Sequence, residues 1–137
     1  MRRALVLTCL LSMLVAPLRA ADPLADFGGE EGLNKLTDQF IQRVLADPRI
    51  GQRFAKVDTE RLTFLIFHQF CQYLGGSCIY KGKTMRESHT NMHVRTAELN
   101  AMVEDLEVVM RARKIPYAAQ SRLISKLAPL KRDIVGH

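Results

Sequence analysis

Residues 59–76 read TERLTFLIFHQFCQYLGG, and no other stretch limits the fold as tightly. Leu62, Phe64, Leu65, Ile66, Phe67, Phe70 and Tyr73 run around more than one face of the helix that their spacing predicts over 60–74. A helix that is apolar on more than one side is buried on both or lines a cavity. Asp58 or Thr59 can cap it, with Glu60 and Arg61 in its first turn, and Gly75-Gly76 stops it. The chain must therefore supply a cover for this helix, or bind something that does.

The neighbouring segments are also helical, and none alternates with the two-residue period of a strand. Over 31–45, Leu33, Leu36, Phe40, Ile41, Val44 and Leu45 recur at helical spacing. Asp47-Pro48 ends that helix, because proline disfavours a helical residue before it. A short helical turn follows over 49–54. Thr96 is read as the cap of a helix over 98–113 whose inner stripe is Leu99, Met102, Val103, Leu106, Val109 and Met110. On that helix Glu104 and Asp105 are read as an outward, solvated pair. After the Ile115-Pro116 turn a last helix over 117–135 presents Leu123, Ile124, Leu127 and Leu130, with Pro129 bending or interrupting it. The expectation is one all-α domain of five or six helices with short connections.

The first residues belong to a different kind of segment. Arg2 and Arg3 precede an apolar run over 4–15, and small residues follow at Ala20 and Ala21. This is the pattern of a secretory signal, expected to end at Ala20 and leave a domain over 21–137. The run falls short of the ~20 apolar residues that a permanent membrane anchor needs. No stable anchor is expected after cleavage, and the protein is expected to be exported, in a bacterium to the periplasm. The formal charge of +6 loses Arg2, Arg3 and Arg19 with the signal, leaving about +3. So small a charge, with no basic block and no interleaved aromatics, sets nucleic acid aside as a partner. Cys9 departs too, leaving Cys71 and Cys78. In an exported chain the two form either a disulfide across Gly75-Gly76 or a pair of free thiols, one of them buried in a helix.

The chemistry-bearing stretch is TMRESHTNMHVRT, residues 84–96. Were it all helix, Met85, His89, Met92 and His93 would share one face. A His pair at this spacing can hold zinc, and Met with His can hold copper, but a third ligand at a characteristic spacing is missing. Hydrolytic motifs and phosphate loops are absent from the chain. Haem asks for one histidine on the iron, an apolar wall and some positive charge for the propionates. His89 can supply the first, residues 62–70 the second, and Lys81, Lys83 and Arg86 the third.

Several motifs in order carry a resemblance: FGGEEGL, FIQRVLADPRIGQRFAKVD, YLGG, YKGKTMRESH, the KIP turn and LAPLKRDIV. Together they span Phe27 to Val135, and the sequence resembles the group 1 truncated haemoglobins, short globins built as a two-over-two helical sandwich around haem. The resemblance implies non-covalent haem b, with His89 as the proximal iron ligand and Met85 one turn earlier against the porphyrin. It also implies Val94 packing beside the haem, His93 near the haem edge or exposed, Phe54 in aromatic contact on the distal side, and Phe70 at a gate to the distal pocket. The histidine that bonds haem covalently in some relatives is replaced by Leu130, so no such bond is expected. His68 should point away from the iron, since it lies two residues past Ile66 on a 3.6-residue period.

The departures from the family lie on the distal side. Relatives place a tyrosine after the phenylalanine of the first long helix; here Ile41 follows Phe40. Where they carry glutamine or histidine on the distal helix, this chain has Leu62, Leu65 and Ile66. A hydrogen-bond donor to a polar bound diatomic is worth about 1–3 kcal/mol. Its loss should let oxygen leave roughly one to two powers of ten faster. The expected activity is reversible binding of oxygen, carbon monoxide and nitric oxide in an apolar pocket, not enzymatic turnover. The competing readings are a haem redox or electron-transfer protein with its own redox partner, an enzyme that detoxifies nitric oxide, and a haem-free helical metal binder.

Overall fold

The computed structural model describes residues 21–137. The expected signal segment, with Arg2, Arg3, the apolar run and Ala20, lies outside the described residues. The first long helix, α1, spans Gly29–Ala46, close to the predicted extent. Gly28 leads into it with φ of 82°, a left-handed turn that a residue with a Cβ adopts only with strain. Leu33, Leu36, Phe40, Ile41 and Val44 form its inner stripe and are all buried. Each such side chain stabilises the fold by about 1.5–3 kcal/mol relative to exposure. Asp47 ends α1, and a 3-10 turn over Gly51–Phe54 occupies the short segment expected there.

The second helix, α2, spans Thr59–Leu74, and its cap is Asp58, whose carboxylate accepts from the Arg61 N–H at 3.0 Å. Gly75 closes it with φ of 91°, again left-handed. Phe70 meets Phe40 of α1 with ring centroids 6.1 Å apart, which locks the α1–α2 crossing. Beyond Gly76 the chain folds back and Cys78 bonds to Cys71, with Cα atoms 5.7 Å apart, so the cysteine pair is a disulfide. Gly76 is required at this point, since a Cβ there would come within 2.6 Å of Cys71 Sγ.

A single-turn helix, α3, covers Met85–His89, followed by α4 over Thr96–Ala112 and α5 over Tyr117–Leu127. The residue before α4 is Arg95, so Thr96 is its first helical residue and not its cap. The helix start is satisfied instead by Glu98, whose carboxylate accepts from the Arg95 N–H at 2.9 Å. Pro129 does interrupt the last helical stretch: α5 gives way to a 3-10 turn over Ala128–Leu130 and then to α6 over Lys131–Ile134. Helix α1 packs on α2 and α4, and α5 packs on both α2 and α4, which makes the all-α two-over-two sandwich.

One expectation about α4 fails. Asp105 is not solvated; it is 1% exposed and receives a hydrogen bond from Arg43 Nε at 2.7 Å. The α4 face that carries Leu106 and Val109 turns Asp105 into the α1 interface, and the long Arg43 side chain reaches across to meet it. Burial raises the Asp105 pKa, an effect opposed by Arg43 and reinforced by nearby Asp47. Glu104 does stay exposed and pairs with Arg49 at 2.5 Å. Among the described residues no helix is long and apolar enough to cross a membrane.

Candidate functional site

Five residues form a helix at α3 because its ends are satisfied locally. Thr84 and Glu87 form a capping box: the Thr84 N–H donates to Glu87 Oε2 at 2.9 Å, and the Glu87 N–H donates to Thr84 Oγ1 at 3.2 Å. Ser88 Oγ and Thr90 Oγ1 donate to the Thr84 and Arg86 carbonyls, each at 2.8 Å. The helix stops at His89, so Met92 and His93 do not continue its face. Asn91 and His93 take left-handed backbone, with φ of 64° and 49°, and His93 is exposed. The shared four-residue face is therefore not formed. Among the described residues no cluster of three metal-ligating side chains includes His89 or His93; the one cluster found is Glu30, Cys71 and Cys78, whose sulfurs are in the disulfide.

His89 is oriented and half-buried. Its Nδ1 lies 2.7 Å from the Met85 carbonyl oxygen. A carbonyl can only accept, so Nδ1 carries a proton, and in the neutral ring the Nε2 lone pair is then free. That is the tautomer of a metal-ligating imidazole, fixed by the hydrogen bond on the opposite nitrogen. Met85 is held as well, its Sδ accepting from Gln69 Nε2 at 3.6 Å.

The helix α2 is fully buried only toward its C-terminal end, at Gln69, Phe70, Cys71 and Leu74. Leu62, Leu65, Ile66 and Phe67 are half-buried, and Phe64 is 59% exposed. The first half of α2 is thus incompletely covered by protein. Leu99, Met102 and Val103 of α4, the inner-stripe residues nearest its start, are likewise half-buried, as are Met85, Met92, Val94, Ile124 and Leu130. Apolar side chains left partly open on α2, α3, α4 and α5 are what a large flat apolar group would cover.

Phe40, Ile41 and Phe70 belong to the closed core, with Ile41 at 0% exposure. Phe54 is half-buried against that core. Lys81 and Lys83 are exposed. Arg86 is exposed too, but its guanidinium pairs with Asp133 at 3.0 Å. Val94 forms a parallel bridge with Val135. His68 faces a groove of about 670 Å³ between α1 and α2, lined also by Asn34, Asp38 and Thr63. Its Nδ1 contacts the Phe64 carbonyl at 2.8 Å, and its ring stacks on Phe64 at 4.1 Å.

Gln69, the Arg86–Asp133 pair and the clamp around Glu98 join the site without being among the residues the sequence singles out. Arg53 Nε and Nη2 donate to the two Glu98 carboxylate oxygens at 3.0 and 2.9 Å, and Arg53 Nη1 donates to the Met92 carbonyl at 2.8 Å. The Arg95 side chain, its backbone N–H and Arg53 hold the Glu98 carboxyl down at about 2. The T-x-x-E pattern at Thr84 was readable as a cap, whereas partners 45 residues apart left no local signal.

Residues 25–135 match the bacterial-like globin family. The chain belongs to that family. Among curated relatives, a group 1 truncated haemoglobin of Synechocystis is 31% identical over 80% of this chain and 93% of its own length. One from Tetrahymena pyriformis is 27% identical over 80% of this chain and 90% of its own. Among solved structures, the Fe(III) truncated haemoglobin of Tetrahymena pyriformis superposes with a TM-score of 0.80 at 25% identity, covering 84% of this chain and 98% of that one. The 2/2 haemoglobin of a Synechococcus, in the cyanomet state with covalently attached haem, gives 0.78 at 18% identity, covering 84% and 98%, and this likeness concerns the fold. Membership of the globins implies haem. The residues of this globin fit it: an imidazole with a free Nε2 on a capped helix, and partly open apolar side chains around it.

Proposed function

We propose that this globin binds diatomic gases reversibly at a haem iron held by His89, in a pocket whose far side is aliphatic. The observation that carries the reading is the His89 Nδ1 contact to the Met85 carbonyl at 2.7 Å, which leaves Nε2 as the free donor. Haem, when bound, would supply the iron that His89 holds and at which a diatomic gas binds. Met85 and Val94 pack beside it, and Phe54 and Phe70 contribute aromatic walls on the distal side. Lys81, Lys83 and Arg86 supply positive charge for the propionates.

On the distal side Ile41, Leu62, Leu65 and Ile66 offer no hydrogen-bond donor from their side chains. A ligand that gathers negative charge gains nothing there, while a less polar one loses little. Oxygen is therefore held weakly relative to carbon monoxide, and nitric oxide chemistry that depends on a long-lived oxygen complex is disfavoured. Leu130 stands where some relatives carry the histidine that bonds haem covalently, so in this reading the haem is of the b type and held without a covalent bond. The basic and apolar start of the chain supports export, with cleavage after Ala20.

The test is the absorption spectrum of the purified protein after haem addition, in ferric, ferrous and carbon monoxide forms. A Soret band, a five-coordinate ferrous spectrum and a carbon monoxide adduct are the expected results. Absence of a Soret band refutes it.

A further inference from the structure

The chain immediately after His89 is conformationally costly and held from two sides. Asn91 and His93 both adopt left-handed backbone without being glycine, at φ of 64° and 49°. Such residues persist where the surroundings over-determine them. One restraint comes from the 3-10 turn before α2, where Arg53 Nη1 donates to the Met92 carbonyl at 2.8 Å. The others come from the end of the chain. The Gly136 N–H donates to the Val94 carbonyl at 3.0 Å, the His93 N–H donates to the His137 carbonyl, and Val94 bridges Val135.

The same terminal segment also holds α3. Helix α6 packs on α3, and Asp133 accepts from Arg86 Nη2 at 3.0 Å, three residues before His89. This arrangement depends on the break at Pro129, since a straight continuation of α5 could not turn back toward the loop after α3. Gly136, at φ of 82°, lets the last residues run beside Val94.

We infer that residues 131–137 form a strap that sets the position of His89, with Asp133 and Gly136 as positioning residues. The strap joins the segment before the imidazole, through Arg86, to the segment after it, through His93 and Val94. The inference rests on His89 being the iron ligand, and it concerns where that ligand stands. None of the residues that make these contacts, Arg86, His93, Val94, Asp133, Val135 and Gly136, belongs to the fully buried core, so the strap can loosen without unfolding the protein.

The test uses haem-loaded full-length protein and the variants Asp133→Ala, Asp133→Glu and Gly136→Pro. Proline removes the Gly136 N–H and cannot adopt its φ. The readouts are the iron–histidine stretching band of the ferrous form by resonance Raman, haem loss to a scavenger, and amide exchange at His93 and Gly136. The expected result is a shifted or broadened band in Asp133→Ala and Gly136→Pro, recovered in Asp133→Glu. Haem loss should quicken roughly tenfold in Gly136→Pro, the equivalent of one lost hydrogen bond near 1.4 kcal/mol. A band unchanged in both variants while exchange at His93 and Gly136 quickens overturns the strap: it would then loosen without moving His89. If the unsubstituted protein gives no iron–histidine band, the ligand assignment itself falls and the strap with it. A band present in the unsubstituted protein and lost in His89→Ala confines any failure to the strap alone.

Discussion

Replacing Glu98 with glutamine should destabilise the protein at neutral pH and leave it nearly unchanged in strong acid. Glu98 is 9% exposed and joins the first turn of α4 to Arg95 and Arg53. Its carboxyl titrates near 2 in the folded chain, against an ordinary 4.5. A carboxyl lowered on folding contributes stability that is fully present above its unfolded value and is lost as pH falls through its folded one. At 1.36 kcal/mol per pH unit, the interval from 4.5 to 2 has an upper bound of roughly 3.4 kcal/mol. The Arg53 and Arg95 side chains are 37% and 72% exposed, so solvent screening reduces this to about 1.5–2 kcal/mol. Urea unfolding of the haem-free protein, followed by circular dichroism at pH 7 and pH 2, measures the difference without a contribution from iron ligation. The midpoint gap between Glu98→Gln and the unsubstituted protein should be present at pH 7 and should shrink across 4.5 to 2. A gap of equal size at both pH values would show that Glu98 acts by shape and neutral hydrogen bonding and not by its charge.

Reducing the Cys71–Cys78 bond, or replacing both cysteines with serine, should cost about 2–2.5 kcal/mol from loop-closure entropy for so short a ring, read as a lowered thermal midpoint. Leu62→Gln or Ile66→Gln should restore a distal donor and slow oxygen dissociation roughly five- to a hundred-fold, measured by stopped flow, with a smaller effect on carbon monoxide. His68→Ala should leave the ferrous spectrum five-coordinate and unchanged, because His68 faces the α1–α2 groove; a changed axial spectrum would place it at the iron.

The helices were legible because their apolar residues repeat at a helical period and their ends carry Asp58, Gly75, Pro116 and Pro129. The over-apolar α2 signalled a missing cover, and half-burial of Leu62, Leu65 and Ile66 is consistent with that reading. His89 emerged from the motif around it and not from periodicity, which alone would have grouped it with Met92 and His93. That grouping failed because Thr84, Glu87, Ser88 and Thr90 support one helical turn and no more. Asp105 was misread because periodicity assigns a face but says nothing of a long arginine arriving from another helix. The Glu98 clamp and the terminal strap join residues tens of positions apart, and only the folded chain brings them together.

Cavity rescue decides whether His89 Nε2 holds the iron. In His89→Gly the ferrous spectrum should lose its five-coordinate histidine signature and haem should dissociate readily. Added imidazole should enter the vacated space and restore the signature. A His89→Gly protein that keeps the original spectrum and its haem without imidazole would show that the iron is held elsewhere.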